Sequence, residues 1–261
     1  MTDTSPFDRF EHLAREQFTA DAGAFDRATI INDGEALDEL VRLADIAADT
    51  KVLDVASGPG IVAVRLAQSG ARVTGVDLTP AMLDIARRRA DAAGVDLRLL
   101  EGSMYRLPFD DDEFDVVVSR YALHHAHDLE AAVREIDRVA RPGARLVIVD
   151  FAADPDPAIA AAYDEAERHR DPSHARNLTV SEQREAFGAL GWDVLERSTY
   201  RLPASVGGVL TGSNGPDHES FRRAFEESLT SHGLGVGARR AGDDIAFDYP
   251  IVAQAFGRSI S

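Results

Sequence analysis

The sequence has no cysteine, a single lysine and no long apolar run. Without cysteine, the 261-residue chain can build neither a disulfide framework nor a cysteine metal cluster. No run of about 18 apolar residues occurs, so the sequence predicts no membrane span. The first residues carry acids and no apolar core segment, which is unlike a signal peptide. We therefore expect a cytoplasmic protein.

Negative charge dominates the chain. The formal net charge is −17, and Lys51 is the lone lysine beside the arginines. Such a field repels nucleic acid and anionic lipid, so we expect neither as a partner. The arginine run at 87–89 lies on a predicted helix and favours a solvated face. The acidic run at 110–113 lacks the alternate spacing of a calcium loop and indicates a solvated turn.

Strands and helices alternate along the middle of the chain. Apolar runs predict strands at 51–56, 72–76, 96–100, 114–119 and 145–150, with helices over 60–69, 80–93 and 128–140. Continuous apolar strands are typical of a parallel sheet covered on both faces. We also expect helices within 7–48, over 157–169, 179–190 and 221–231, strands from 192 toward 200 and over 244–256, and a loop at 203–216. The pattern predicts an α/β fold.

The segment 51–60, KVLDVASGPG, carries the clearest chemical signal. A buried strand enters a turn with Gly58 and Gly60, and a helix follows. The next strand ends on Asp77. Small residues let a ligand approach the backbone, the helix start offers unpaired N–H groups, and an acid at the neighbouring strand tip accepts ribose hydroxyls. The order predicts a nucleotide site.

This turn differs from a dinucleotide-binding turn. That fingerprint is Gly-x-Gly-x-x-Gly and faces a pyrophosphate. Here Asp54 precedes the turn and the third glycine is missing. An acid in this place disfavours a diphosphate and suits a ligand that carries a cation. A nicotinamide dehydrogenase is therefore the disfavoured alternative.

At these residues the chain resembles the class I S-adenosylmethionine-dependent methyltransferases, in their small-molecule branch related to the quinone-ring methyltransferases. Their first motif, Asp-x-Gly-x-Gly-x-Gly after a strand, is matched by residues 54–60 with Ala56 in place of the first glycine. Alanine there implies a backbone that does not need a positive φ. The later motifs are matched by residues 75–83, 102–109, 115–125 and 141–150, and the segments 17–26 and 246–251 also fit this branch.

The resemblance implies a Rossmann-like, doubly wound sheet of seven strands in the order 3-2-1-4-5-7-6, with the last strand antiparallel. N-terminal helices and a small helical cap complete the α/β fold. The chain would be a single domain over 1–261, with a helical lid at 1–48, a cofactor-binding half at 49–151, and cap insertions and closing strands at 152–261. The ligand would lie outside the carboxyl ends of the strands.

The implied cofactor is S-adenosyl-L-methionine, and the implied activity is O-, N- or C-methylation of a small molecule. A protein that binds this cofactor but catalyses a non-methylating reaction, such as cyclisation, is the alternative. Ser103 stands where the family usually has Asp, and a hydroxyl accepts from the adenine amine more weakly than a carboxylate. The expected cofactor-binding residues are Asp54, Ala56, Gly58, Gly60, Asp77, Leu78, Met82, Gly102, Ser103, Met104 and Arg120.

Histidines after the fourth strand are the candidate catalytic groups. The cofactor's methyl group is already activated, so the enzyme aligns a nucleophile and needs a base only where the nucleophile retains its proton. We expect His125 as this base, and Tyr121, His124 and His174 as substrate contacts. The alternative is that the histidines shape the loop or bind the cofactor.

Two further features of the sequence leave alternatives open. A metal site of His124, His125 and His127 lacks a carboxylate at helical ligand spacing, so we expect no metal. Phe18 and Phe25 are candidates for closing a lid over the cofactor, or for packing an amphipathic helix.

Overall fold

The structure, a computed structural model, describes residues 7–27, 34–211 and 213–258. Two helices, α1 (Asp8–Arg27) and α2 (Gly34–Ala44), precede the sheet. The first half of the sheet and its helices follow as β1 (Lys51–Val55), α3 (Ile61–Gln68), β2 (Arg72–Asp77), α4 (Pro80–Ala93), β3 (Leu97–Glu101), β4 (Phe114–Arg120), α5 (Leu129–Val139) and β5 (Ala140–Phe151).

The second half adds the remaining helices and the strands that close the sheet. They are α6 (Pro157–Arg170), α7 (Val180–Gly188), β6 (Asp193–Ser205), α8 (Val206–Leu210), α9 (His218–Ser231), β7 (Arg239–Ala241) and β8 (Asp244–Gly257). Within the described ranges, no helix is both long enough and apolar enough to span a bilayer.

The strands lie in the order β3-β2-β1-β4-β5-β8-β6, and β7 pairs with β8. The strands from β1 to β5 are parallel to their neighbours, whereas β8 runs antiparallel to both β5 and β6. This confirms the expected α/β class and the antiparallel last strand, while the order differs slightly from the expected 3-2-1-4-5-7-6, since β8 stands in the place of strand 7. The expected count of seven is one short, because residues 239–241 form a short hairpin strand against β8.

Helices cover both faces of the sheet. On one face, α2 and α9 bury Leu40, Leu43, Phe221 and Phe225 against the strands. On the other, α5 and α7 bury side chains such as Ile136 and Phe187. Full burial of a side chain of this size stabilises the fold by about 1.5–3 kcal/mol. Packing on both faces explains why β1 is buried from Val52 to Val55 and why its sequence is continuously apolar up to Asp54.

The structure corrects the loop predicted at 203–216. The strand β6 continues to Ser205 because residues 202–205 keep their pairing with β8. The short helix α8 follows, and the Ser205 side chain caps it by accepting a hydrogen bond from the Gly208 N–H. Adjacent glycines at 207 and 208 concealed this helix, since glycine is a weak helix former. Helix α9 also begins earlier than predicted, with Asp217 as its N-cap.

Candidate active site

A cavity lies at the carboxyl ends of the parallel strands, where open α/β sheets bind ligands. It encloses about 1090 Å³ including its open mouth. Its walls include these residues expected from the sequence: Asp54, Ala56, Gly58, Asp77, Leu78, Met82, Gly102, Ser103, Met104, Arg120, Tyr121 and His125. Gly60, His124 and His174 are not among the described residues that line it.

The turn between β1 and α3 has three residues in the left-handed region. Ala56, Gly58 and Gly60 have φ angles of 56°, 51° and 76°. The expectation that position 56 avoids positive φ is therefore wrong, and Ala56 accepts a conformation that strains a side chain. A Cβ on Gly58 would meet no described atom within 4 Å, whereas one on Gly60 would lie 2.7 Å from the Ala86 Cβ. The structure thus has open space at Gly58, which lines the cavity, whereas Gly60 lets α3 approach α4.

Asp77 connects the end of β2 to this turn. Its Oδ2 accepts a hydrogen bond from the Gly58 N–H at 2.7 Å, and its Oδ1 accepts from the Thr79 N–H at 2.8 Å. Burial raises the pKa of the Asp77 carboxyl, and these two hydrogen bonds oppose the shift. Each carboxylate oxygen retains a further lone pair, so Asp77 can still accept hydroxyl donors from a ligand.

Asp54, at the end of β1, is 1% exposed. Its Oδ2 has no hydrogen-bond partner among the described residues. Burial, followed by the charge of Asp77, raises the pKa of Asp54 to about 8, although the Ala63 N–H and Arg120 oppose the shift. A buried carboxyl of this kind is costly to ionise alone and is stabilised by a cation beside it. The cavity therefore fits a ligand that carries a positive charge.

Arg120 and Tyr121 form the wall at the end of β4. The Arg120 guanidinium carbon lies 4.3 Å from the centroid of the Tyr121 ring, within cation–π range. The Tyr121 ring stacks on Phe151, and its hydroxyl lies 3.1 Å from that of Tyr200. These contacts hold Tyr121 at a φ of 55° beside the cavity.

Apolar side chains and one small residue shape the part of the cavity beyond β2 and β3. Leu78, Met82 and Met104 line it. A Cβ on Gly102 would lie 3.0 Å from Val76 Cγ1 and 3.1 Å from Pro108 Cδ, so glycine allows this close packing. The result is a slot past the carboxyl ends of β2 and β3, with largely apolar walls.

Helix α1 forms a further wall, through Phe10, Glu11, Ala14 and Phe18. Three aromatic contacts hold it on the loops after β3 and β4: Phe7 with Tyr105 at 4.2 Å, Phe10 with His127 at 3.8 Å, and Phe18 with His125 at 5.0 Å between ring centroids. Arg15 also pairs with Glu101 at 2.6 Å. The side chain of Phe25 lies outside the described residues.

His125 lies in a 3₁₀ turn (Leu123–His125) after β4 and lines the cavity. Its Nδ1 is 3.2 Å from the Ser173 carbonyl and 3.1 Å from the Ser173 hydroxyl, which itself donates to Asp171. Ser173 therefore offers acceptors to an Nδ1–H, and this tautomer leaves Nε2 unprotonated, at 4.0 Å from Asp171 Oδ2. Burial, then the charge of His124, lowers the pKa of His125 well below its usual value.

His124 and His174 lie behind the cavity wall. His124 Nδ1 is 2.7 Å from Asp150 Oδ1, and His174 Nε2 is 2.8 Å from Asp164 Oδ1. Burial lowers the pKa of His124, but the charge of Asp150 and its hydrogen bond, together with the charges of Asp171 and Glu167, outweigh burial and raise the pKa. Across the described part of the chain, no cluster of three His, Asp or Glu side chains is arranged to hold a metal ion.

The sequence interpretation missed Glu11, and within the segment 171–176 it gave a role to His174 but none to Asp171 or Ser173. Glu11 lies on α1 and Ser173 lies after α6, both far in sequence from the motif residues. The spacing of the motifs therefore could not indicate their contacts with the site. One signal was present for Glu11: the serine at 103, where a carboxylate was expected, left an acceptor to be supplied from elsewhere.

Comparisons with known proteins agree with this geometry. Residues 53–148 match the family described as a methyltransferase domain. An uncharacterised methyltransferase of Bacillus subtilis, YcgJ, is 33% identical over 204 residues, which cover 78% of this chain and 76% of YcgJ. A demethylmenaquinone methyltransferase of Thermus thermophilus is 40% identical over 127 residues, 47% of this chain and 58% of that protein.

The solved structures agree as well. The crystal structure of the Bacillus subtilis YcgJ protein superposes with a TM-score of 0.78 and 27% identity, covering 87% of this chain and 99% of that one. The motif turn, the acids at the ends of β1 and β2, the strand order and these relatives together show that the chain belongs to the class I S-adenosylmethionine-dependent methyltransferases.

Proposed function

We propose that this protein transfers a methyl group from S-adenosylmethionine to a small-molecule acceptor. The observation that carries the proposal is the pair of buried acids in one cavity: Asp54 with an unpartnered oxygen and a raised pKa, and Asp77 at the neighbouring strand tip. The first suits a cation and the second suits ribose hydroxyls. One ligand that carries both is a nucleoside joined to an amino acid through a sulfonium centre.

In this proposal, different residues of the cavity bind different parts of the cofactor. Asp54 holds the amino end, and Arg120 faces the carboxylate of the same end. Asp77 binds the ribose, while the backbone at Gly58 allows close approach because no Cβ stands there. The apolar slot of Leu78, Met82 and Met104, with Gly102 and Ser103, takes the base.

The bound cofactor supplies an electrophilic methyl group. The chain's own residues then have to exclude water and orient the acceptor. We propose that α1 is the lid expected within residues 1–48 and that it covers the cofactor-binding half at 49–151. Tyr121 and His125 line the inner wall, where an acceptor would lie. Segment 152–261 supplies Ser173 and Asp171, which position His125.

His125 has a defined proton role in this proposal. Its Nδ1–H is held by Ser173, so Nε2 can accept a hydrogen bond from an acceptor hydroxyl or amine. Its lowered pKa makes it a weak base, and it takes up the proton only as the acceptor bonds to the methyl group. His124 and His174 are proposed to position this wall through Asp150 and Asp164, one layer behind the substrate.

A small acceptor is supported by the enclosure of the cavity beneath α1 and by the net charge of −17, which disfavours nucleic acid. The Thermus thermophilus relative is named as a demethylmenaquinone methyltransferase, which supports a small-molecule acceptor of the quinone class.

The test uses methyl-labelled S-adenosylmethionine and a metabolite extract. We expect S-adenosylhomocysteine to form together with a labelled small product. Binding of NAD in place of S-adenosylmethionine would overturn the proposal. Conversion of a metabolite without S-adenosylhomocysteine would instead support the non-methylating alternative.

A further inference from the structure

Glu11 of helix α1 brings a carboxylate into the base slot. The Ser103 hydroxyl donates a 2.5 Å hydrogen bond to Glu11 Oε1, across 92 positions of sequence. Both residues line the cavity, together with Leu78 and Met104. Ser103 Oγ also accepts from the Tyr105 N–H at 3.1 Å. The hydroxyl hydrogen of Ser103 is therefore committed to Glu11, and Ser103 acts to orient that carboxylate.

The sheet places this carboxylate beyond the ribose position. Asp77 pairs in register with Glu101 across β2 and β3, so the loop of Gly102 and Ser103 continues beside Leu78. A nucleoside whose ribose is bound by Asp77 directs its base into this slot. The walls there are largely apolar, and the polar side chains beside them include Ser103, Glu11 and Tyr105, whose hydroxyl accepts from the His127 N–H.

The chemistry of a carboxylate selects the base. An ionised carboxylate only accepts hydrogen bonds. Ser103 occupies Oε1, and among the described residues no other hydrogen-bond partner of the Glu11 side chain is found, which leaves Oε2 for a ligand. Adenine presents an exocyclic amine, a donor, whereas hypoxanthine presents a carbonyl at the same position and would face Oε2 as a second acceptor.

We propose that Glu11, held by Ser103, is a specificity-determining residue that accepts the exocyclic amine of the cofactor's adenine. The inference rests on the proposed function, since it assigns one residue of the same cofactor site. This proposal places the hydrogen-bond acceptor for the adenine amine on α1. Recognition of the base then also holds α1 against the cavity.

The test measures the binding of two compounds by calorimetry. One is the product S-adenosylhomocysteine, and the other is its analogue S-inosylhomocysteine, in which a carbonyl replaces the 6-amine. The wild-type protein should prefer the adenine compound by roughly 10- to 100-fold, the range for a hydrogen bond to a charged group. In Glu11→Gln the amide can either accept from an amine or donate to a carbonyl, so the preference should shrink to about threefold or less. The matched control is Glu16→Gln, an exposed acid on the same helix that pairs with His12, and it should keep the wild-type preference.

The outcomes separate this inference from the proposed function. An unchanged preference in Glu11→Gln, or an equal loss of affinity for both compounds, would overturn the role of Glu11 and leave the proposed function standing. If the wild-type protein binds neither compound, the proposed function fails and the inference fails with it.

Discussion

The carboxylate of Asp77 accepts the backbone N–H of Gly58 over 2.7 Å, so the acid at the end of β2 and the turn after β1 form one unit. The two lie 19 positions apart in the sequence. A hydrogen bond to a charged acceptor contributes about 1.5–3 kcal/mol. The turn is therefore ordered before any ligand arrives, and less conformational entropy is lost on binding.

Asp77→Asn should weaken both the binding of the cofactor's ribose and the hydrogen bonds that hold the turn. The amide keeps one oxygen but turns an NH2 group toward one of the two N–H donors, Gly58 or Thr79. We expect S-adenosylmethionine affinity to fall by about 1.5–3 kcal/mol, measured by calorimetry. The melting temperature of the free protein should fall too, by about 2–4 °C for each kcal/mol lost. Unchanged affinity would contradict Asp77 as the ribose acid.

Asp54 should release a proton when the cofactor binds. Its pKa is about 8 in the free protein, so the carboxyl is mostly protonated at pH 7. A cation beside it lowers that pKa, and binding at pH 7 then releases close to one proton, whereas at pH 9 the group is already ionised. Calorimetry in buffers of different ionisation enthalpy measures the count. The control is Asp54→Asn, and equal proton counts in both proteins would contradict the assignment.

The same raised pKa affects stability. A neutral Asp54 is favoured by the fold, so its contribution is complete below the ordinary Asp pKa and is lost as the pH rises through about 8. Asp54→Asn should therefore unfold at a higher temperature than wild type above pH 8, while binding the cofactor more weakly. A melting temperature lower than that of wild type at pH 9 would argue against a buried, uncompensated carboxylate.

Gly58→Val should block the cofactor without unfolding the protein. Gly58 lines the cavity and a Cβ there meets no described atom within 4 Å, so the fold has room for a branched side chain that adds bulk where the ligand must approach the backbone. The φ of 51° adds strain of about 1–2 kcal/mol. Binding should fall below detection, while circular dichroism stays native. The paired control is Ala56→Gly, which relieves a positive φ and should raise stability by up to about 1 kcal/mol with binding retained.

His125→Ala should slow methyl transfer by roughly 10²–10⁴ if Nε2 takes the acceptor's proton, with little change in cofactor affinity. An ordinary histidine would give an ascending limb near pH 6.5. The pKa of His125 is lowered, so activity that depends on its neutral form persists until the pH falls well below that value. Single-turnover rates from pH 5 to 9 test this. A limb near pH 6.5 that disappears in the variant would show an ordinary pKa instead.

The sequence predicted those features of the site that depend on the local pattern of strands and the residues at their ends. Asp54 and Asp77 each end an apolar strand, and parallel strands bring their carboxyl ends to one edge, so their meeting in one cavity follows from the pattern. Glu11 could not be placed this way, because the face of α1 that meets Ser103 is decided by tertiary contacts.

Backbone conformation was predicted less well than topology. Ala56 has positive φ in a turn that brings the Gly58 N–H to donate to Asp77, and residue size alone does not reveal this. The extension of β6 to Ser205 likewise depends on its partner β8, more than 40 positions away.

Helix α1 has a kinetic consequence. A molecule held beneath it leaves only as fast as the helix lifts, so exchange of spent for fresh cofactor can limit the turnover rate. One of its attachments, Arg15 with Glu101, is 39% and 51% exposed. Dissolved ions screen a pair of this kind. The dwell time of the spent cofactor should therefore shorten as ionic strength rises, even though the aromatic contacts at Phe7, Phe10 and Phe18 are unaffected by salt.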